Sequence, residues 1–212
     1  MFWKGEFNYS ALNNFGVQHA KGDYLLLLNN DVEIINKNCF RELVGYCMRE
    51  DVGIVGARLY YEDDTIQHAG VIIGLGGIAG HAFVGTLRQD PGYFARIFCA
   101  QDLSAVTAAC MLVKKSVYEE VGGYEEKLKV AFNDVDFCLK VRRAGYLIVY
   151  NPYAELYHYE SKSRGYDDTP EKMERFHNEI MYIREQWPDI LKNGDPYYNE
   201  NLSLEGGNYS LK

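Results

Sequence analysis

The segment Asp23-Tyr24-Leu25-Leu26-Leu27-Leu28 is a continuous apolar run, too short for a stable helix, that ends abruptly in Asn29-Asn30-Asp31. Such a run reads as a buried strand, and its polar end sets a carboxylate where the backbone leaves a sheet. Helical and strand-like patterns alternate around it. Ser10 to Ala20 reads as a helix with Ser10 as N-cap and Gly22 as its stop. Asn36 is the expected cap of a helix reaching Glu50, with Phe40, Leu43, Val44 and Cys47 at helical spacing, and Gly53 to Ala57 reads as a second buried strand. This alternation predicts an α/β fold with a mixed sheet flanked by helices.

Downstream, Thr65 to Phe98 is glycine-rich and loses the pattern, after which Ser104 to Val113 is strand-like. Ser116 to Val121 reads as a short helix stopped by Gly122-Gly123, and Phe132 to Ala144 as a longer one stopped by Gly145. Tyr146 to Tyr150 and Ala154 to Tyr159 have strand composition, with Pro152 demanding a break between them. Thr169 as N-cap and Pro170 at the first helical position begin a last helix, with Met173, Phe176, Ile180, Ile183 and Trp187 on one face. A soft boundary near Gly165 divides residues 1–165, a body, from 166–212, a helix and tail whose Tyr197, Tyr198, Leu202 and Leu204 are expected to pack back onto it.

Composition sets limits. With 212 residues, 47% of them apolar, the chain can bury a substantial core, and disorder is excluded. There are 22 Lys and Arg against 30 Asp and Glu, so the net charge of −8 argues against nucleic acid or an anionic bilayer as the main partner. The five cysteines are scattered without a C-x-x-C pair, and read as small core residues in a reducing cytosol. The apolar run Val71 to Gly80 is cut by glycines and falls short of the roughly 20 residues a transmembrane helix requires. Met1-Phe2-Trp3-Lys4 lacks the apolar core of a signal peptide. No residue pattern sets an oligomeric state.

Two acidic clusters are candidates for chemistry. Asp31, at a predicted strand end, offers a hard oxygen ligand suited to Mg2+ or Mn2+, although Asn29 or Asp31 in a simple Asx-turn would look the same. Asn133-Asp134-Val135-Asp136 begins a predicted helix with Asn133 available as cap; the two acids there would complement the helix dipole in any case. Residues two apart on a helix diverge, so one of Asp134 and Asp136 should face a pocket while the other caps or pairs. His158, on the last predicted strand, reads first as a hydrogen-bonded structural residue. The loop with Lys162 and Arg164 could grip a diphosphate or simply lie in solvent. Gly74 to Ala79 matches G-x-G-x-x-A, but no helix follows, so a dinucleotide fingerprint is rejected in favour of a ligand-approaching loop carrying His68 and His81.

Taken in order, these pieces resemble the family-2 glycosyltransferases of GT-A fold, especially bacterial rhamnosyltransferase-like and cell-surface polysaccharide enzymes. The likeness is carried by Phe7 to Asn14, Gly22-Asp23-Tyr24 with Leu28 to Asp31, Thr107 to Val113, Gly122-Gly123-Tyr124, Phe132 to Asp136, Tyr157 to Ser161, Ser163-Arg164-Gly165 and Asp195 to Asn199. Asn29 stands where the family's first D-x-D aspartate usually is, and Asn133 where its E-D glutamate is, leaving Asp31 and Asp134. The resemblance also implies that the chain corresponds to the C-terminal two-thirds of such a domain, without the N-terminal nucleotide-binding strands.

The implied activity is inverting transfer of a sugar from a nucleotide-diphosphate donor to a hydroxyl of a saccharide or lipid-linked saccharide acceptor, in the cytoplasm or at the inner face of the membrane. Asp134 would be the general base, Asp31 and His158 would hold Mg2+ or Mn2+, and Asn29, Asn30, Asn133, Asp136 and Arg164 would contact substrates. A non-catalytic glycan-binding or assembly module is the alternative. A Mg2+-dependent phosphohydrolase with Asp31 as nucleophile is disfavoured, because no Asp-x-Asp-x-Thr run is present.

Overall fold

The computed structural model describes residues 2–159 and 169–212. In chain order its first half contains α1 (Tyr9–His19), β1 (Tyr24–Leu28), β2 (Val32–Ile34), α2 (Cys39–Cys47), β3 (Val52–Tyr60), β4 (Ile66–His68), β5 (Val71–Ile73) and β6 (Ala79–His81). Then come β7 (Gln101–Leu103), β8 (Cys110–Lys114), α3 (Lys115–Glu120), α4 (Asn133–Arg143), β9 (Leu147–His158), α5 (Pro170–Gln186) and α6 (Pro188–Asn193).

Seven strands form one mixed sheet in the order β1-β8-β3-β9-β2, with β4 beside the end of β3 and β7 beside the start of β9. β3 and β9 are parallel, while β8 is antiparallel to both β1 and β3. β1, β3 and β9 therefore point the same way, and their carboxyl ends gather at one edge of the sheet. That edge is where α/β folds place their ligands.

Both faces of the sheet are covered, and the period-two alternation of its strands decides what meets which helix. Cys110 and Leu112 of β8 join Val55, Ala57 and Leu59 of β3 under α2, where Cys39, Leu43 and Cys47 are buried. Met111 and Val113 turn the other way, toward Phe137, Cys138 and Val141 of α4. On β3 a Cβ at Gly53 would lie 2.6 Å from Val141 Cγ1, and one at Gly56 would lie 2.5 Å from Val106 Cβ. These two glycines let neighbouring side chains sit directly on the strand backbone.

Several expectations need correction. β1 is an edge strand, not a fully buried one: Leu25 and Leu27 point inward, while Tyr24 and Leu28 are exposed. The cap of α1 is Asn8, whose side chain accepts from Ala11 N at 3.0 Å, whereas Ser10 Oγ donates to Leu128 O at 2.6 Å. Asn36 does not cap α2; it donates to Tyr153 O and accepts from Glu155 N. The break foreseen at Pro152 is a bulge inside the single strand β9, where the pairing with β3 jumps from Ala57–Asn151 to Arg58–Glu155. Four cysteines are buried as expected, but Cys99 is exposed.

The C-terminal segment clamps onto the body, while the expected boundary at Gly165 falls outside the described residues. Thr169 caps α5 and Pro170 opens it, as foreseen. The apolar face engages from Phe176 onward: Phe176 stacks on Phe132 and Ile183 is buried against Leu128, whereas Met173 is 61% exposed. Leu202 and Tyr209 enter the main core, and buried Asp195 accepts from Ser104 Oγ at 2.6 Å and Ile73 N at 2.9 Å.

Glu179, on α5, was not foreseen as buried. Its carboxylate accepts from Val130 N at 2.8 Å and Ala131 N at 3.2 Å. Burial raises the pKa of this carboxyl, so the two N–H donors offset a desolvation cost rather than adding to a free gain. Glu179→Ala should lower stability by about 1–3 kcal/mol, the cost of orphaning buried donors. Glu179→Gln, which keeps one carbonyl oxygen for them, should lose less. Urea unfolding of the two variants checks the order.

Candidate active site

The gathered strand ends open into a cleft of about 650 Å³. Its lining includes Asn29, Asn30, Asp31, Gln67, His81, Thr107 to Ala109, Asn133, Asp134 and His158, with an apolar rim of Phe7, Leu12, Leu28 and Phe132. The size suits a small-molecule ligand. Two acids 103 positions apart in sequence (134 − 31) thus share one cavity, and they are its only carboxylates among the described residues.

Strand register brings Asp31 and His158 together. β2 pairs antiparallel with the end of β9, Val32 opposite His158, and Tyr159 N donates to Asp31 O at 2.9 Å. The Asn29-Asn30-Asp31 link therefore crosses the sheet edge with its carboxylate beside the imidazole. Asp31 Oδ1 lies 3.2 Å from His158 Nε2, and Asn29 Nδ2 is 3.1 Å from the same nitrogen. Yet Asp31 Oδ1 is buried and receives no hydrogen bond. A buried carboxylate oxygen left in that state is costly, and a cation would relieve it.

An oxygen and an imidazole nitrogen in this proximity fit Mg2+ or Mn2+, which take few protein ligands and fill their other positions with water and phosphate oxygens. No cluster of three or more His, Cys, Asp or Glu suited to a metal ion occurs among the described residues. Among the described residues the donor set is the pair Asp31 and His158.

Asp134 is held from another direction, in the first turn of α4. Its Oδ1 accepts from Val135 N at 2.9 Å and its Oδ2 from Ala108 N at 3.2 Å. A carboxylate has about four lone-pair positions, so two donors leave capacity for a third. Ala108 is steadied in turn by Tyr9, whose hydroxyl donates to Ala108 O at 3.1 Å. Burial, and secondarily the Asp134 charge, push the Tyr9 pKa far up, so the phenol keeps its proton.

The loop before Asp134 is strained. Phe132 occupies the N-cap position in the left-handed region at φ +59°, which bulky residues rarely adopt. Its ring stacks on Phe176 of α5 at 5.6 Å, and the Glu179 carboxylate grips the two preceding backbone amides. Asn133, expected as the cap, instead donates to Val130 O at 3.0 Å.

Asp136 does not line the cleft. It is 1% exposed, accepts from Trp187 Nε1 at 2.8 Å and pairs with Lys140 at 2.9 Å, so its substrate-contacting role gives way to packing against the C-terminal segment. The helical divergence of positions two apart is the reason. Arg164, with Lys162, lies outside the described residues.

The glycine stretch forms a hairpin between β5 and β6, with left-handed Gly74, Gly76 and Gly77 at its turn and no helix after it. His81 reaches the cleft from this hairpin. His68 is fully buried behind it, accepting from Thr107 N at 3.4 Å. Burial lowers its pKa, with His81 and His158 adding to the effect. The sequence reading missed Gln67, Tyr9 and the Thr107 to Ala109 backbone as parts of the site. For Gln67 the one signal was its place in the polar pair Gln67-His68 between the apolar Ile66 and Ala69.

The family model described as "Glycosyltransferase like family 2" matches residues 8–176. The chain is 50% identical over 206 residues to the uncharacterized protein y4gI of Sinorhizobium fredii, covering 97% of this chain and 23% of that protein. It is 35% identical over 212 residues to the O-antigen biosynthesis protein RfbC of Myxococcus xanthus, covering 99% of this chain and 16% of that protein. The chain thus spans less than a quarter of the length of either relative. Among solved structures, GalNAc-T7 with UDP, GalNAc and Mn2+ superposes with a TM-score of 0.65 at 15% identity, covering 89% of this chain and 36% of that one, a likeness of GT-A fold. With the family match spanning most of its length, the chain belongs to the family-2 glycosyltransferases.

Proposed function

We propose that this cleft carries out inverting, cation-assisted transfer of a sugar from a nucleotide-diphosphate donor to an acceptor hydroxyl in cell-surface polysaccharide synthesis. The observation that carries this reading is the pairing, in one cleft, of an orphaned carboxylate oxygen beside an imidazole with a second carboxylate held by backbone amides. A Mg2+ or Mn2+ ion, when bound, would neutralise charge on the departing diphosphate.

Asp31 and His158 hold that ion, and Asp134 accepts the acceptor's hydroxyl proton as its oxygen attacks the anomeric carbon. The bond from that carbon to the diphosphate oxygen breaks, and the diphosphate leaves with the electron pair. Retention through a glycosyl-enzyme would need a further carboxylate as nucleophile. With Asp31 assigned to the cation and Asp134 to the acceptor's proton, the proposed roles leave no carboxylate among the described cleft residues for that step, in keeping with inversion. Asn29, Asn30 and Asn133, which line the cleft, are the proposed contacts to sugar or phosphate oxygens, Arg164 is assigned to the diphosphate, and the apolar rim of Phe7, Leu12 and Phe132 suits a lipid-linked saccharide at the inner face of the membrane. Among the described residues no helix is long and apolar enough to cross it.

Turnover of a nucleotide-sugar panel with Mn2+ tests the reaction, and Asp134→Asn should cut it by about 10²–10⁴, the usual worth of a general base. Undiminished turnover would remove Asp134 from that role. Asn29→Asp adds a carboxylate beside His158 Nε2 and should tighten Mn2+ binding in calorimetry; unchanged or weaker binding would place the cation elsewhere. Saccharide binding without nucleotide or Mn2+ binding would favour the non-catalytic module.

A further inference from the structure

The amide of Gln67 makes two contacts to one residue. Its side chain is 2% exposed, on β4, and its Nε2 donates to the His158 backbone oxygen at 3.2 Å. A carbonyl oxygen only accepts, so the amide's nitrogen must be the end that faces it, and its oxygen must face the ring. Gln67 Oε1 lies 2.6 Å from His158 Nδ1. An amide oxygen also only accepts, so Nδ1 must carry the proton. In the neutral ring an Nδ1 proton leaves Nε2 as the acceptor nitrogen, and Nε2 is the one facing Asp31 Oδ1 at 3.2 Å and Asn29 Nδ2 at 3.1 Å.

The bonding around it is consistent. Asn29 Nδ2 can donate to a bare Nε2, but would meet a protonated one donor to donor. Asp31 Oδ1 lies 3.2 Å from that nitrogen and takes part in no hydrogen bond. Gln67 is anchored from behind as well, since its backbone oxygen lies 3.0 Å from His81 Nδ1.

We infer that Gln67 is a positioning residue that locks His158 in the Nδ1–H tautomer and so presents Nε2 as a ligand to the divalent cation. The inference rests on the proposed cation site but concerns a residue that acts through His158 rather than as a ligand of the ion. Partners of this type, which hold the far nitrogen of a ligating histidine, commonly alter metal affinity by about 10–100-fold.

Long-range 1H–15N correlation spectra of the 15N-histidine-labelled, metal-free wild-type chain at pH 8 read the tautomer directly, with His158 assigned by its loss in His158→Ala. A protonated Nδ1 and unprotonated Nε2 are expected. An Nε2 proton would overturn the inference, with no variant needed. Gln67→Met, of similar length but without donor or acceptor, should erase the tautomer preference and weaken Mn2+ binding by about 10–100-fold by electron paramagnetic resonance titration. Unchanged Mn2+ affinity in a folded Gln67→Met protein would equally overturn it. The expected tautomer in a wild-type chain that binds no Mn2+ would support the Gln67 assignment and overturn the cation-site reading instead.

Discussion

The pairing of Val32 with His158 is the contact on which the site depends. It joins two segments far apart in sequence, and it does so only because β1, β3 and β9 share a direction. Side chains alternate along a strand, so a slip of one residue in the β2–β9 register would turn His158 to the other face of the sheet. The Asp31 backbone oxygen, bonded to Tyr159 N, fixes the register from the second strand. Precision at the cleft is therefore inherited from the sheet rather than built by its loops.

The other half of the cleft is assembled differently. Asp134 stands on a short turn with an unfavourable backbone angle at Phe132, and the surrounding structure must hold that angle. The holding groups come from α5: a buried carboxylate on two amides, a ring stacked on Phe132, and Ile183 under Leu128. A rigid sheet edge thus faces a loop whose shape is imposed from outside.

How far the sequence revealed this differs by feature. The α/β alternation, the helix after Phe132 and the α5 start were legible because each rests on local signals: apolar period, glycine stops, and Thr followed by Pro. The caps were not, since Asn8, Ser10, Asn36 and Asn133 are all chemically able to cap, and the choice was made by distant partners such as Leu128 O and Glu155 N. β1 looked fully buried because four leucines in a row cannot say whether a second neighbour exists. Asp31 and Asp134 could be chosen by chemistry and family likeness, but their shared cleft is a product of topology. The roles of Gln67 and Glu179 were not legible, because each acts through a bond to residues more than 40 positions away.

The first turn of α4 carries two acids with two different correspondents. One addresses the cleft, while the other is tied to the indole of Trp187, past the end of α5. The C-terminal segment and the cleft carboxylate are thus joined through a single helical turn. The segment farthest along the chain becomes an adjusting screw for its chemistry.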